Sequence, residues 1–69
     1  MITLYTREGC PNCEALQNEL QNAGLDFTIV TDIDLMINKG FDFLPMLEIN
    51  GIAMNNGEAI KWIKEGAKV

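Results

Sequence analysis

The residues best suited to do chemistry here are Cys10 and Cys13, the only two cysteines, in the run Cys10-Pro11-Asn12-Cys13. Thiols at that spacing can open and close a disulfide or take part in holding a metal. The run sits where an apolar stretch, residues 1–5, gives way to a helix-like pattern. A Cys-x-x-Cys between a strand and a helix reads first as a redox pair. With Cys10 as the cap and Pro11 as the first helical residue, the missing proline N–H costs nothing. The free N–H groups of the first turn then point at the Cys10 sulfur. That helix end carries positive partial charge and favours thiolate over thiol. Cys13, one turn on, falls under Cys10 and deeper, so Cys10 is the expected nucleophile and Cys13 the expected second thiol.

Two other readings of the pair stay open at this level. A structural zinc site wants four ligands, and the chain supplies two sulfurs and no histidine. A metal or iron-sulfur site would therefore need a second chain. A static disulfide between these cysteines would close a very short loop and remove little unfolded-state entropy, so it would add little stability.

The elements that must position the pair are legible on either side of it. Residues 2–6 are β-branched and aromatic and predict a strand, and Arg7-Glu8-Gly9 is a turn leading to Cys10. From Pro11, the positions Cys13, Leu16, Leu20 and Ala23 recur at helical spacing among polar residues, with Gly24 as the stop. Residues 25–31 predict a second strand with Phe27 and Ile29 on one side. Asp32 is the expected N-cap of a short helix through Ile33, Leu35, Met36 and Ile37, closed by Lys39 and Gly40. Pro45 pushes Leu44 into extended backbone and opens a third strand at residues 46–49. Asn50-Gly51 signals a tight hairpin to a strand at residues 52–54. A last helix beginning near Asn56 carries Ala59, Ile60, Trp62 and Ile63 inward, ends at Gly66, and offers Glu58–Lys61 and Lys61–Glu65 pairs on its wet face.

Strand, helix, strand, helix, strand, strand, helix is an α/β order. The first two strands should be parallel with a right-handed crossover and the last two antiparallel, giving a mixed four-stranded sheet with helices on both faces. Residues 1–69 are expected to form a single domain, of a size that buries only about 60% of its unfolded surface. With 48% hydrophobic residues it can still build one core. The net charge of −5 argues against nucleic acid and anionic membranes, both of which bind basic surfaces. No apolar stretch approaches the ~20 residues of a membrane span, and residues 1–6 lack the features of a signal peptide. A cytoplasmic setting, where a dithiol is kept reduced, and a monomer are the expectations.

Tyr5-Thr6 ahead of Cys10-Pro11-Asn12-Cys13, a proline before the third strand at Pro45, and the Asn50-Gly51 hairpin together resemble a glutaredoxin, a small member of the thioredoxin-like fold. The resemblance covers essentially the whole chain. It implies a dithiol-disulfide oxidoreductase that reduces protein or glutathione mixed disulfides, has no tightly bound cofactor, and takes its electrons from glutathione. It further implies a cis bond between Leu44 and Pro45, with the Leu44 backbone pairing to the bound thiol. Near the pair, Arg7 is the nearest basic residue and can meet an anionic substrate, Tyr5 ends the strand beside the site and reads first as packing, and Asn12 lies inside the motif; further on, Asn56 or Gly57 can present helix N-terminal amides to a carboxylate, and Lys39 can contact a glycyl carboxylate. Arg7 can lower the Cys10 pKa, while Glu8 and Glu14 oppose it.

The sequence departs from the family at Asn12, where an aromatic residue is frequent, at Phe43-Leu44 in place of Thr-Val, and at Asn55-Asn56-Gly57-Glu58 in place of a Gly-Gly-acidic run. A thioredoxin-like donor served by a thioredoxin reductase, with a protein such as a ribonucleotide reductase as target, fits these residues almost as well. A dimeric metal or iron-sulfur carrier is the rival from another class.

Overall fold

Strands form where β-branched and apolar residues alternate, and helices where the period lengthens. The computed structural model describes residues 1–67. It runs β1 (Ile2–Tyr5), α1 (Pro11–Asn22), β2 (Thr28–Val30), α2 (Ile33–Asn38), β3 (Met46–Ile49), β4 (Ile52–Met54) and α3 (Asn56–Lys64). The sheet order is β2-β1-β3-β4. β1 is parallel to β2, with Leu4 opposite Ile29, and antiparallel to β3, with Leu4 opposite Leu47. β3 and β4 are antiparallel across the hairpin, with Leu47 opposite Met54. Asn50 and Gly51 both take positive φ, 51° and 87°, as a primed two-residue hairpin turn requires.

Strand alternation divides the residues between two faces. Ile2, Leu4, Leu47 and Ile49 point to one face and join Leu16 and Leu20 of α1 and Ala59 of α3 in the core. Leu25, Phe27, Met54, Ile60, Trp62 and Ile63 pack around that cluster. Tyr5 and Glu48 point to the other face, which α2 and the residues after it cover. There the Tyr5 hydroxyl donates to Glu48 Oε1 at 3.1 Å, and Lys39 Nζ lies 3.1 Å from Glu48 Oε2. The Phe41 ring meets the Tyr5 ring edge-on at 5.0 Å between centroids. Burial, and then the Glu48 carboxylate, raises the Tyr5 pKa, so the phenol keeps its proton and remains a donor. The hydrogen bond to Glu48 raises the Lys39 pKa, so the ammonium stays charged.

All three helices end the same way. A glycine in left-handed conformation follows the cap, at Gly24, Gly40 and Gly66, and the next N–H reaches back to a carbonyl of the last turn. The N–H groups of Leu25, Phe41 and Ala67 donate to the carbonyls of Leu20, Met36 and Trp62 respectively.

That exit from α1 explains the main departure from the sequence expectation, the short second strand. Leu25 is consumed in closing the helix and Phe27 in packing on the core, so pairing is confined to residues 28–30 at the sheet edge. Ile29 shares a face with Phe27 but is 46% exposed, because no strand lies outside it. Three smaller corrections follow from helix ends and the chain terminus. Ala23 caps α1 in the open and is not in the core stripe. The Glu58 side chain turns back to accept from the Asn55 N–H at 3.1 Å, where the sequence suggested a pair with Lys61. Met1, the first residue of the apolar stretch, is exposed, and its ammonium donates to Asn50 Oδ1 at 2.8 Å.

Candidate active site

Cys10 occupies the N-cap of α1 in extended conformation, with Pro11 as the first helical residue. Its carbonyl accepts the first intrahelical bond, from the Glu14 N–H at 3.2 Å. Its sulfur accepts from the Cys13 N–H, also at 3.2 Å. The cap position normally held by Ser, Thr, Asp or Asn is thus filled by sulfur. An anionic sulfur there meets both a donor and the positive helix end, which together stabilise a thiolate. Cys10 and Cys13 form a disulfide, with Cα atoms 5.2 Å apart, inside the usual window of about 4.4–6.8 Å. Cys13 is 3% exposed and belongs to the buried side of α1, whereas Cys10 is half-buried. An incoming sulfur can therefore reach Cys10 and not Cys13.

Cys10 opens on a cavity of about 370 Å³, lined also by Arg7, Ile33, Met36, Ile37, Phe41, Asp42, Phe43 and Leu44. One wall is α2 and the other is the connection into β3. The Leu44–Pro45 peptide bond is cis, and Pro45 is fully buried behind this connection. Of the residues singled out from the sequence, Arg7, Cys10 and Leu44 meet in the cavity. Tyr5, Asn12, Pro45, Asn56 and Gly57 do not line it. Tyr5 is buried between the sheet and Phe41, Asn12 is exposed on the first turn of α1, and Asn56 and Gly57 begin α3.

Lys39, a cation that could meet an anion, is already paired with a carboxylate of the chain, and a second carboxylate stands at the start of α3. Lys39 is held by Glu48, and the start of α3 carries a reciprocal cap in which Glu58 accepts from Asn55 N–H while Asn55 Oδ1 accepts from Glu58 N–H at 2.9 Å. Among the described residues there is no group of three or more potential metal ligands. None of their helices is long and apolar enough to cross a membrane.

Sequence reasoning missed the apolar cavity wall and the α3 cap. The signal for the wall was a surplus: Ile33, Leu35, Met36 and Ile37 put apolar residues on every side of a six-residue helix, which cannot bury them all against one sheet. Only Met36 is buried. The signal for the cap was Asn55-x-x-Glu58 itself.

No protein-family model and no curated protein matches the sequence. Eight chains of solved structures match, among them NrdH-redoxin and a glutathione S-transferase. NrdH-redoxin from Escherichia coli, described as a glutaredoxin-like protein with a thioredoxin-like activity profile, aligns at a TM-score of 0.74 and 25% identity over 93% of this chain and 91% of its own. A glutathione S-transferase from Xanthobacter autotrophicus Py2 also aligns at 0.74, with 19% identity, over 96% of this chain but only 38% of its own. The second likeness concerns the fold alone. The first extends along both chains and accompanies a cysteine pair capping the first helix. The chain is a thiol-disulfide oxidoreductase with the thioredoxin fold, similar to a glutaredoxin-like protein.

Proposed function

We propose that the protein reduces disulfides in other proteins and is itself recharged by a thioredoxin reductase, in a reducing compartment such as the cytoplasm. The observation that carries this reading is the reachable Cys10 sulfur at a helix N-terminus with Cys13 buried one turn behind it. The Cys10 thiolate attacks one sulfur of the substrate disulfide, making a mixed disulfide and expelling the other substrate sulfur as a thiolate. The Cys13 thiolate then attacks Cys10, expelling the second substrate thiolate and closing the Cys10–Cys13 disulfide. Two electrons have passed to the substrate, and the external reductant returns two to the pair.

Glutathione is the other candidate reductant. Against it, Lys39, where one of its carboxylates would be received, is already paired with Glu48, and a second carboxylate, Glu58, stands at the start of α3, where the other would approach. The thioredoxin-like activity profile of NrdH-redoxin points the same way. A ribonucleotide reductase is a fitting target on that likeness, with the protein acting as a monomer without a bound cofactor. Two coupled assays test the reading with a disulfide-containing protein as acceptor. NADPH consumption is expected with thioredoxin reductase and little or none with glutathione plus glutathione reductase. Turnover in neither would contradict the oxidoreductase role, and turnover with glutathione alone would reverse the choice of reductant.

A further inference from the structure

The cavity beside Cys10 carries an inference that rests on the thiol-disulfide reading and names its substrate class. We propose that this cavity docks a protein segment that sets an apolar side chain next to its disulfide and carries basic residues around it.

The apolar wall beside Cys10 is open to solvent. Ile33 is 48% exposed, Ile37 66% and Phe43 77%, and all three line the same cavity as Cys10. Contiguous apolar surface left open on so small a chain marks a contact surface. Its position beside the sulfur that must be reached places an apolar side chain of the partner there during attack. The cavity volume, about 370 Å³, lies at the small end of the roughly 300–1,000 Å³ typical of ligand pockets.

The charge around that wall is unbalanced. Asp42 lines the cavity, Asp32 and Asp34 bracket Ile33, and Glu8 adjoins Arg7; all four are exposed. Among the described residues Arg7 stands against them, because the Lys39 charge is matched by Glu48. Lys61 and Lys64 ride on α3, across the sheet from α2. A surface of this sign on a chain of net charge −5 attracts basic segments and repels a second copy of itself.

The test uses the reduced protein, freed of small thiols, and four cyclic disulfide peptides of one scaffold. They carry Leu or Ser beside the reactive cysteine and Lys or Glu at the flanking positions. Single-turnover reduction of the Leu/Lys peptide should be at least about tenfold faster than that of the Leu/Glu peptide at low salt. The gap should close as salt rises from about 10 mM to 1 M and the screening length falls from about 30 to 3 Å. The Leu-over-Ser preference should survive salt and shrink in Phe43→Ser and Ile37→Ser, and Asp42→Asn should narrow the Lys-over-Glu gap. Equal rates for all four peptides would overturn the docking inference while leaving the redox reading intact. Reduction of none would instead overturn the redox reading beneath it. Salt-dependent self-association of the wild type that Phe43→Ser abolishes would also overturn it, by assigning the wall to a second copy.

Discussion

Cys10→Ser is expected to lose at least about a thousandfold of disulfide reductase activity, because removing a covalent nucleophile leaves only binding and orientation to act. Cys13→Ser should behave differently. Its first attack proceeds at an undiminished rate, but with a protein disulfide it stops at the mixed disulfide, since no buried thiol stands behind Cys10 to resolve it. Exchange with a glutathionylated substrate needs only one thiol and should persist. Stopped-flow and steady-state rates on the two variants separate these outcomes. Full activity in Cys10→Ser, or a silent Cys13→Ser that forms no mixed disulfide, would mean the roles are reversed. The asymmetry is a consequence of helix geometry: the cap residue faces the cavity and the residue one turn on faces the core.

The second large effect concerns the scaffold. Leu47 is fully buried at the centre of the sheet, opposite Leu4 on one side and Met54 on the other. Leu47→Ala should cost about 2–5 kcal/mol through lost burial and a cavity between sheet and helices. At roughly 0.05–0.15 kcal/mol per residue, a chain of 69 residues has only about 3–10 kcal/mol to lose. The variant should therefore show a urea midpoint lowered by about a fifth or more, or no folded baseline at all. A loss below about 1 kcal/mol would show that the sheet centre is not the keystone of the core. Ile37→Ala, on the exposed cavity wall, should stay within about 0.5 kcal/mol of wild type.

The sequence was most informative where local chemistry alone decides structure. Pro11 after a cap, Asp32 as a cap, the three helix-ending glycines and Asn50-Gly51 each act over a few residues, and each is where the structure has it. The sense of two strand pairs followed from connection lengths, since a helix separates the parallel β1 and β2 and a two-residue turn joins the antiparallel β3 and β4, whereas the sheet order and the antiparallel pairing of β1 with β3 were not legible. What could not be read depends on distant partners. Residues 25–27 have strand-forming types, yet the closure of α1 and the core claim them first.

The ring of Tyr5, Glu48 and Lys39 joins residues up to 43 positions apart and leaves no periodic trace. The same holds for the site. Cys10 and Cys13 announce themselves by spacing, but the wall of Ile33, Ile37 and Phe43 becomes visible only once α2 is laid on the sheet with one side left uncovered.

The helix start beneath Cys10 is expected to hold its sulfur as a reactive thiolate. The rate of Cys10 alkylation by iodoacetamide against pH, in the reduced protein with Cys13 replaced by serine, measures it directly. The rate should reach half its plateau well below the ~8.5 of a free thiol, and the midpoint should move back up when Pro11→Gly loosens the first turn. A midpoint at or above the free-thiol value in the folded protein would contradict the account.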